Sequence, residues 1–317
     1  MKDKKLLVSM TLNPAIDKTI ELEHFRYGEM NRISSSSMTI AGKGYHVALT
    51  YQLLGGSAFC LGFSYKHNRI MTEKFFLENS LPNEFCEVNG DLRVNLKMVD
   101  NFTGKTTEIN DRGFEPGKKD IDAVIELLRK YQSEDSFFVF TGSIPPGVNP
   151  EIYRDMISET AGKGKKSALG GEGLPMLKGI EAKPFLLKAN LYEIEQTFGV
   201  KIKDIKEAAA FCGKINKMGV EIVSITLGEK GAVISDSDKM YSASLPMKLN
   251  AVYPVGAGTA YMGALCHEIN HEGKSDIEEM LRCGIAAASA RIVNTEKKFF
   301  DISRYKSFRQ QVEVRLL

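Results

Sequence analysis

Residues 120–169 read DIDAVIELLRKYQSEDSFFVFTGSIPPGVNPEIYRDMISETAGKGKKSAL, and one structural unit is written twice inside them. From Asp120 to Tyr131 apolar residues return at three- and four-residue spacing, which predicts an amphipathic helix. Phe137 to Phe140 is apolar without alternation, the pattern of a strand covered on both faces. Pro150 to Glu159 then reads as a second helix and Lys166 to Leu169 as a second strand. The rhythm extends outward. Leu6–Leu12 is predicted as a strand, Tyr45–Leu54 as a helix stopped by Gly55-Gly56, Ala58–Phe63 as a strand and Asn68–Glu78 as a helix. On the other side come Phe185–Leu187 (strand), Asn190–Phe198 and Ile205–Met218 (helices) and Glu221–Leu227 (strand). Repeated strand-helix units with doubly buried strands predict an α/β fold, a three-layer α/β/α sandwich on a mostly parallel central sheet.

Two regions break that rhythm. Thr19–Leu22, Leu92–Asp100 and Lys105–Asn110 alternate apolar and polar residues, with turns such as Thr103-Gly104 between them. They are expected to form a small antiparallel β lid, from about 19–35 and 92–110, over the strand ends where open α/β sheets bind ligands. The chain, residues 1–317, is expected to be one domain with this appendage. Lid strands leave unpaired edges, and a homodimer through the lid is one way to cover them.

Composition narrows the partners. Hydrophobic residues make up 43% and charged residues 26%, enough for a sizeable core. Lys plus Arg number 42 and Asp plus Glu 40, a net charge of +2, so nothing favours nucleic acid or an acidic membrane as the main partner. Five scattered cysteines, with no Cys-x-x-Cys pair, suggest neither a disulfide framework nor a zinc site and fit a cytoplasmic setting. The apolar run Leu6–Met10 is too short for a secretory leader, and no stretch approaches the roughly 20 residues of a membrane span.

Six short motifs follow predicted strands in order: Thr11-Leu-Asn-Pro-Ala-Ile-Asp17, Ala41-Gly-Lys-Gly44, Thr141-Gly-Ser-Ile-Pro-Pro-Gly147, Lys188-Ala-Asn-Leu-Tyr-Glu193, Thr226-Leu-Gly-Glu-Lys-Gly231 and Val255-Gly-Ala-Gly-Thr-Ala260. The last is a glycine turn opening a helix, whose free N–H groups at Gly256, Ala257 and Gly258 suit an anion. Alone it reads rather as a tight connection between a strand and a packed helix. Likewise Asp17 reads as a turn former, Lys43 as a solvated helix-start lysine, Arg93 as a strand charge facing water, and Asn190 with Glu193 as a capping box. Gly228 and Gly231 are explained almost as well by a β-turn.

Taken together, these motifs resemble the PfkB (ribokinase-like) carbohydrate kinases, and within them the branch of 1-phosphofructokinase and tagatose-6-phosphate kinase. The resemblance runs from Thr11 to about Ala290. It implies transfer of the ATP γ-phosphoryl to a sugar-phosphate hydroxyl, with Mg²⁺ as companion ion. Asp17, Gly42, Lys43, Gly44, His46 and Arg93 would then meet the sugar phosphate, Lys43 and Arg93 facing its phosphate. Lys188, Asn190, Glu193, Thr226, Gly228, Gly231, Gly256 and Gly258 would meet ATP, Glu193 holding Mg²⁺ directly or through water. Gly256, Ala257 and Gly258 would form the anion hole beside the catalytic position.

The departures are specific. Ala41 stands for a Gly, His46 for an Asn, Ala189 for a Pro, and Leu169-Gly-Gly-Glu-Gly173 for an Asp-x-x-Gly. Thr259 occupies the position where the family carries an aspartate that takes the hydroxyl proton, and threonine has no conjugate base near neutral pH. Two readings stand: a kinase impaired at Thr259, with His46 and Glu172 as candidate stand-in bases, or a pseudokinase that binds ATP or a sugar phosphate as a sensor. A binding module without nucleotide is the third and weakest.

Overall fold

The computed structural model describes residues 5–132, 136–250, 255–271, 276–294 and 299–317. The chain begins β1 (Leu6–Thr11), β2 (Ala15–Leu22), β3 (Ser35–Ala41), α1 (Lys43–Leu53), β4 (Ser57–Tyr65), α2 (Arg69–Glu78), β5 (Asn83–Val88), β6 (Arg93–Asp100) and β7 (Lys105–Asn110). It continues α3 (Lys118–Lys130), β8 (Ser136–Thr141), α4 (Ile152–Ala161), β9 (Ser167–Gly170), α5 (Gly173–Glu181), β10 (Leu186–Asn190), α6 (Leu191–Phe198), α7 (Ile205–Asn216) and β11 (Ile222–Thr226). It ends β12 (Ala232–Ser235), β13 (Met240–Ser244), α8 (Ala257–His271), α9 (Ile277–Ile292), α10 (Ile302–Gln311) and β14 (Glu313–Leu316).

The main sheet has the order β14-β13-β12-β11-β10-β9-β8-β1-β4-β5. From β11 to β5 every pairing is parallel, and β12, β13 and β14 add an antiparallel edge. Every residue of β8 and β9 is buried, as expected for strands covered on both faces. Each buried Phe of β8 contributes about 1.5–3 kcal/mol relative to exposure. The connections from β1 to β4 and from β8 through β11 run in opposite directions across the sheet. Right-handed crossovers therefore send α1 to one face and α4 to α7 to the other. Helix α8 joins the α1 face, packing between α1 and α9. The direction reverses between β1 and β8, and that switch point opens a crevice at their carboxyl ends.

The predicted ladder of strands and helices from Leu6 to Leu227 forms, with ends shifted by a few residues. Helix α5 was not expected, since Gly173 and Pro175 open it; a proline in the first turn costs no hydrogen bond, so the helix proceeds. The edge strands β12 to β14 are too short to announce themselves.

The lid is a four-stranded sheet in the order β3-β2-β6-β7. Its outer pairings are antiparallel as expected, whereas the central β2–β6 pair is parallel. Its strands also begin earlier and later than the span 19–35: β2 starts at Ala15 and β3 occupies Ser35–Ala41, with the intervening residues in turns and coil. Backbone pairing sets the bounds of β2, which pairs with β6 along its whole length, from Ala15 opposite Arg93 through Asp17 opposite Asn95 to Leu22 opposite Asp100. One face holds Asp17, Asn95, Lys97, Glu108 and Asn110; the other holds Ile16, Lys18, Val94, Leu96, Met38 and Ile109. Among the described residues no helix is long and apolar enough to cross a membrane.

Candidate active site

A cavity of about 630 Å³ lies at the switch point, walled by the ends of β1, β8, β9 and β10, the starts of α1 and α8, and the polar face of the lid. Helix α8 points its N-terminus at it. Gly256 has φ +89°, a conformation that favours glycine and turns the chain into the helix. The first backbone donation back to this turn is from Ala260 to Gly256 (2.9 Å), so the N–H groups of Ala257 to Thr259 precede the helical ladder. Fifteen residues of aligned dipole stand behind them.

Asp17 is buried at the lid end. Its Oδ1 accepts from Asn95 Nδ2 (3.0 Å) and its Oδ2 accepts from the Lys97 ammonium, which is buried beside it. Strand register makes this unit: Asp17 pairs with Asn95, and Lys97 sits two residues on, on the same face. Arg93 follows the same face, but its guanidinium donates to the carbonyls of Asn13 (3.0 and 3.2 Å) and Asp111 (2.9 Å). It ties lid to core while keeping its remaining donors for a ligand. Burial pulls its pKa down against the pull of Asp17 and Asp111.

At the opposite end Glu193 forms the hub. The capping box forms, Asn190 Oδ1 accepting from the Glu193 N–H (2.8 Å) and Glu193 Oε2 from the Asn190 N–H (2.9 Å). Glu193 Oε1 also accepts from Lys43 Nζ (2.8 Å), and Lys188 Nζ stands 3.7 Å from Oε2. Burial would raise the Glu193 carboxyl, but Lys188, Lys43 and the hydrogen bonds outweigh it and hold it below the usual carboxylate range. The buried Lys188 goes the other way, desolvation lowering its pKa despite Glu193. A Cβ on Gly258 would lie 2.9 Å from Lys188 Nζ, so this glycine lets the ammonium sit at the mouth of α8.

Thr259 lies on the first turn of α8, 8% exposed, and its hydroxyl donates to the Gly256 carbonyl (2.9 Å). His46 faces the same cavity from α1. Its ring stacks on Phe299 (centroids 4.7 Å apart, 27°), and the Arg291 guanidinium lies over the Phe299 ring, 4.6 Å from its centroid. Desolvation, then Arg291, pushes the imidazole down to about 4, so it is neutral at neutral pH.

Of the sequence-predicted residues, Asp17, Gly42, Lys43, His46, Arg93, Lys188, Asn190, Glu193, Gly256, Gly258 and Thr259 all line this cavity. Ala257 adds only backbone at the start of α8. Four do not belong to it. Gly44 lies under α1, where a Cβ would collide with the Thr11 and Ser9 hydroxyls, so its role is close helix-strand packing. Thr226, Gly228 and Gly231 lie one strand further along the edge, and the Thr226 hydroxyl turns back to the Ala189 carbonyl (3.4 Å). Gly228 and Gly231 have φ +62° and +91°, and a Cβ on Gly231 would strike the Ala243 carbonyl; they build the β11–β12 turn. Lys43 is not a free cation but an ion-pair partner of Glu193. Asn95, Lys97 and Arg291 also belong to this neighbourhood without standing in any of the six motifs. Arg93, Asn95 and Lys97 at alternate positions of a period-two strand were the available signal; nothing local marks Arg291, which arrives from α9.

A switch-point cavity with a helix N-terminus, buried lysines and a polar lid defines a doubly wound α/β protein with its candidate site at the carboxyl ends of the strands. The chain belongs to the pfkB family carbohydrate kinases, whose profile matches residues 10–298. It is similar to the 1-phosphofructokinase of Bacillus subtilis (30% identity, covering 92% of this chain and 94% of that one). It is similar also to that of Vibrio cholerae (26%, covering 99% and 98%). In fold it matches phosphofructokinase-2 of Escherichia coli (TM-score 0.88, 21% identity, 96% and 98% covered). A ribokinase of Thermotoga maritima matches less closely (TM-score 0.73, 18%, 96% and 99%). The chain is thus a PfkB-family sugar kinase, of the phosphotransferase class and 1-phosphofructokinase-like, on the ribokinase-like fold.

Proposed function

We propose that this protein transfers the γ-phosphoryl of ATP to a hydroxyl of a sugar phosphate, fructose 1-phosphate first, with fructose 6-phosphate and tagatose 6-phosphate as the alternatives to test. The observation that carries the reading is one cavity with a hydroxyl-orienting carboxylate, Asp17, at one end and the α8 N-terminus with Lys188 at the other. Asp17 keeps a second lone pair on each oxygen for sugar hydroxyls, and Arg93 and Lys97 supply cations for the sugar's phosphate. The α8 turn and Lys188 bind the nucleotide phosphates, and the nucleoside extends along the sheet edge toward Thr226 and the Gly228–Gly231 turn. The lid excludes water.

Glu193 would hold Mg²⁺: its oxygens are hard donors, and since each already accepts a hydrogen bond it would do so through water, with Asn190 and Glu172 lining the same cavity. When bound, the ion neutralises phosphate charge. Thr259 slows turnover, since its hydroxyl proton is committed to Gly256 and no carboxylate occupies its place. The same hydrogen bond favours a second reading, a pseudokinase that binds ATP or sugar phosphate as a sensor. A coupled kinase assay over the three sugar phosphates with Mg·ATP, beside calorimetry, separates the two. Turnover supports the kinase; binding without turnover supports the sensor; neither binding nor turnover refutes both.

The lid's outer face exposes Met38 (61%), Val94 (41%) and Ile109 (56%), an apolar surface suited to a second copy of the chain. We extend the proposal to a cytoplasmic homodimer through the lid. A monomeric mass in solution at micromolar concentration would contradict it.

A further inference from the structure

We infer that His46 is the catalytic base of this protein, taking over from α1 the proton that Thr259 on α8 does not accept. The inference rests on the kinase reading above and deepens it.

Three observations carry it. The first is position. Helices α1 and α8 pack together with their N-termini at the same cavity, and a Cβ on Gly263 would touch the Val47 carbonyl (2.7 Å) and Thr50 Cβ (2.6 Å). One turn back along both helices brings the turn of Thr259 beside the turn of His46, so a base moved between them reaches into the same space.

The second is availability. Asp17 is tied to Asn95 and Lys97, and Glu193 to Lys43, Asn190 and Lys188. Neither nitrogen of His46 makes a hydrogen bond among the described residues, and the ring is fixed instead by its stack on Phe299. The charged groups around it are Arg291 from α9, Asp17 from β2 and Lys97 from β6. It therefore belongs to the Asp17 end of the cavity, where the accepting hydroxyl is oriented. Glu172 borders the other end, near Lys43, and Glu108 sits on the exposed outer strand β7.

The third is basicity. Burial and Arg291 push its pKa down to about 4, so at neutral pH the imidazole is neutral and a ring-nitrogen lone pair is available to accept a proton, which the Thr259 hydroxyl does not offer. In the step, the sugar hydroxyl oxygen forms its bond to the γ-phosphorus as the bond to the ADP oxygen breaks. The hydroxyl proton passes to the free imidazole nitrogen, and His46 returns it to solvent when the lid opens.

The test is a double-mutant cycle between His46→Gln and Thr259→Asp, assayed by ADP release with fructose 1-phosphate, with folding checked by thermal melting. In the wild-type background His46→Gln is expected to lower kcat by about 10²- to 10⁴-fold with a smaller change in KM. In the Thr259→Asp background, where a carboxylate takes the proton, the same change is expected to cost less than about tenfold. Equal losses in both backgrounds would make His46 a binding residue and overturn the inference alone. Absence of wild-type turnover would overturn it together with the kinase reading. If Thr259→Asp does not fold, His46→Ala with added imidazole decides: restored turnover supports a base, and no restoration refutes it.

Discussion

Removing the charge of Glu193 without removing its shape isolates what holds the phosphate end together. Glu193 is 4% exposed and Lys188 5%, so their attraction is little screened. Glu193→Gln keeps an oxygen for the Asn190 N–H and so preserves the cap, but leaves the Lys188 ammonium buried against a neutral amide. Breaking a buried pair in this way costs about 3–5 kcal/mol. The Lys43 contact adds little, because that side chain is 42% exposed. Glu193→Ala leaves the Asn190 cap in place but also removes the acceptor of the Asn190 N–H, and should cost about 1 kcal/mol more. Urea unfolding at pH 7 measures both. The pH dependence checks the cause. Lys188 has a lowered folded pKa, so the unfolded chain binds more protons as pH approaches 10.4, and stability rises with pH in that window. The Glu193→Gln penalty should therefore shrink between pH 7 and 10. A loss below about 1 kcal/mol at pH 7, or a penalty unchanged by alkali, would refute the pairing argument.

Three further outcomes follow from the same geometry. Thr259→Asp puts a carboxylate on the first turn of α8, where the dipole favours it, and in the His46→Gln background, where no other base remains, should raise turnover by about 10²- to 10⁴-fold in the coupled assay. Lys97→Met removes the ammonium beside Asp17 and should weaken sugar-phosphate binding at least tenfold by calorimetry while leaving ATP affinity unchanged. His46, lowered from 6.5 to about 4, is neutral in the fold where the unfolded chain binds a proton. Its contribution is present above pH 6.5 and lost as pH falls to 4, at most about 3 kcal/mol, and His46→Gln should abolish that part of the acid sensitivity seen in melting curves.

The layers were legible because periodicity is local. The apolar run at Phe137–Phe140 and the helical spacing at Asp120–Tyr131 each state their own burial, and alternation at Leu92–Asp100 states a half-exposed strand. Elements without such a pattern stayed hidden: β14 is four residues at an edge, and α5 opens on Gly and Pro. At the site, a glycine in sequence looks the same whether it faces a ligand or a neighbouring strand. Gly42 and Gly44 are two residues apart, yet Gly42 borders the cavity and Gly44 packs beneath it.

By itself the sequence determined the α/β class, the lid, the six motifs in order and the threonine at position 259, since each lies within a few consecutive residues. Only the tertiary structure decided which charges meet. Lys97 reaches Asp17 across 80 positions and Lys43 reaches Glu193 across 150, because sheet order and register, not chain proximity, bring strand ends together. It also brought His46 and Thr259 to one cavity, from two helices more than 200 residues apart packing on one face of the sheet.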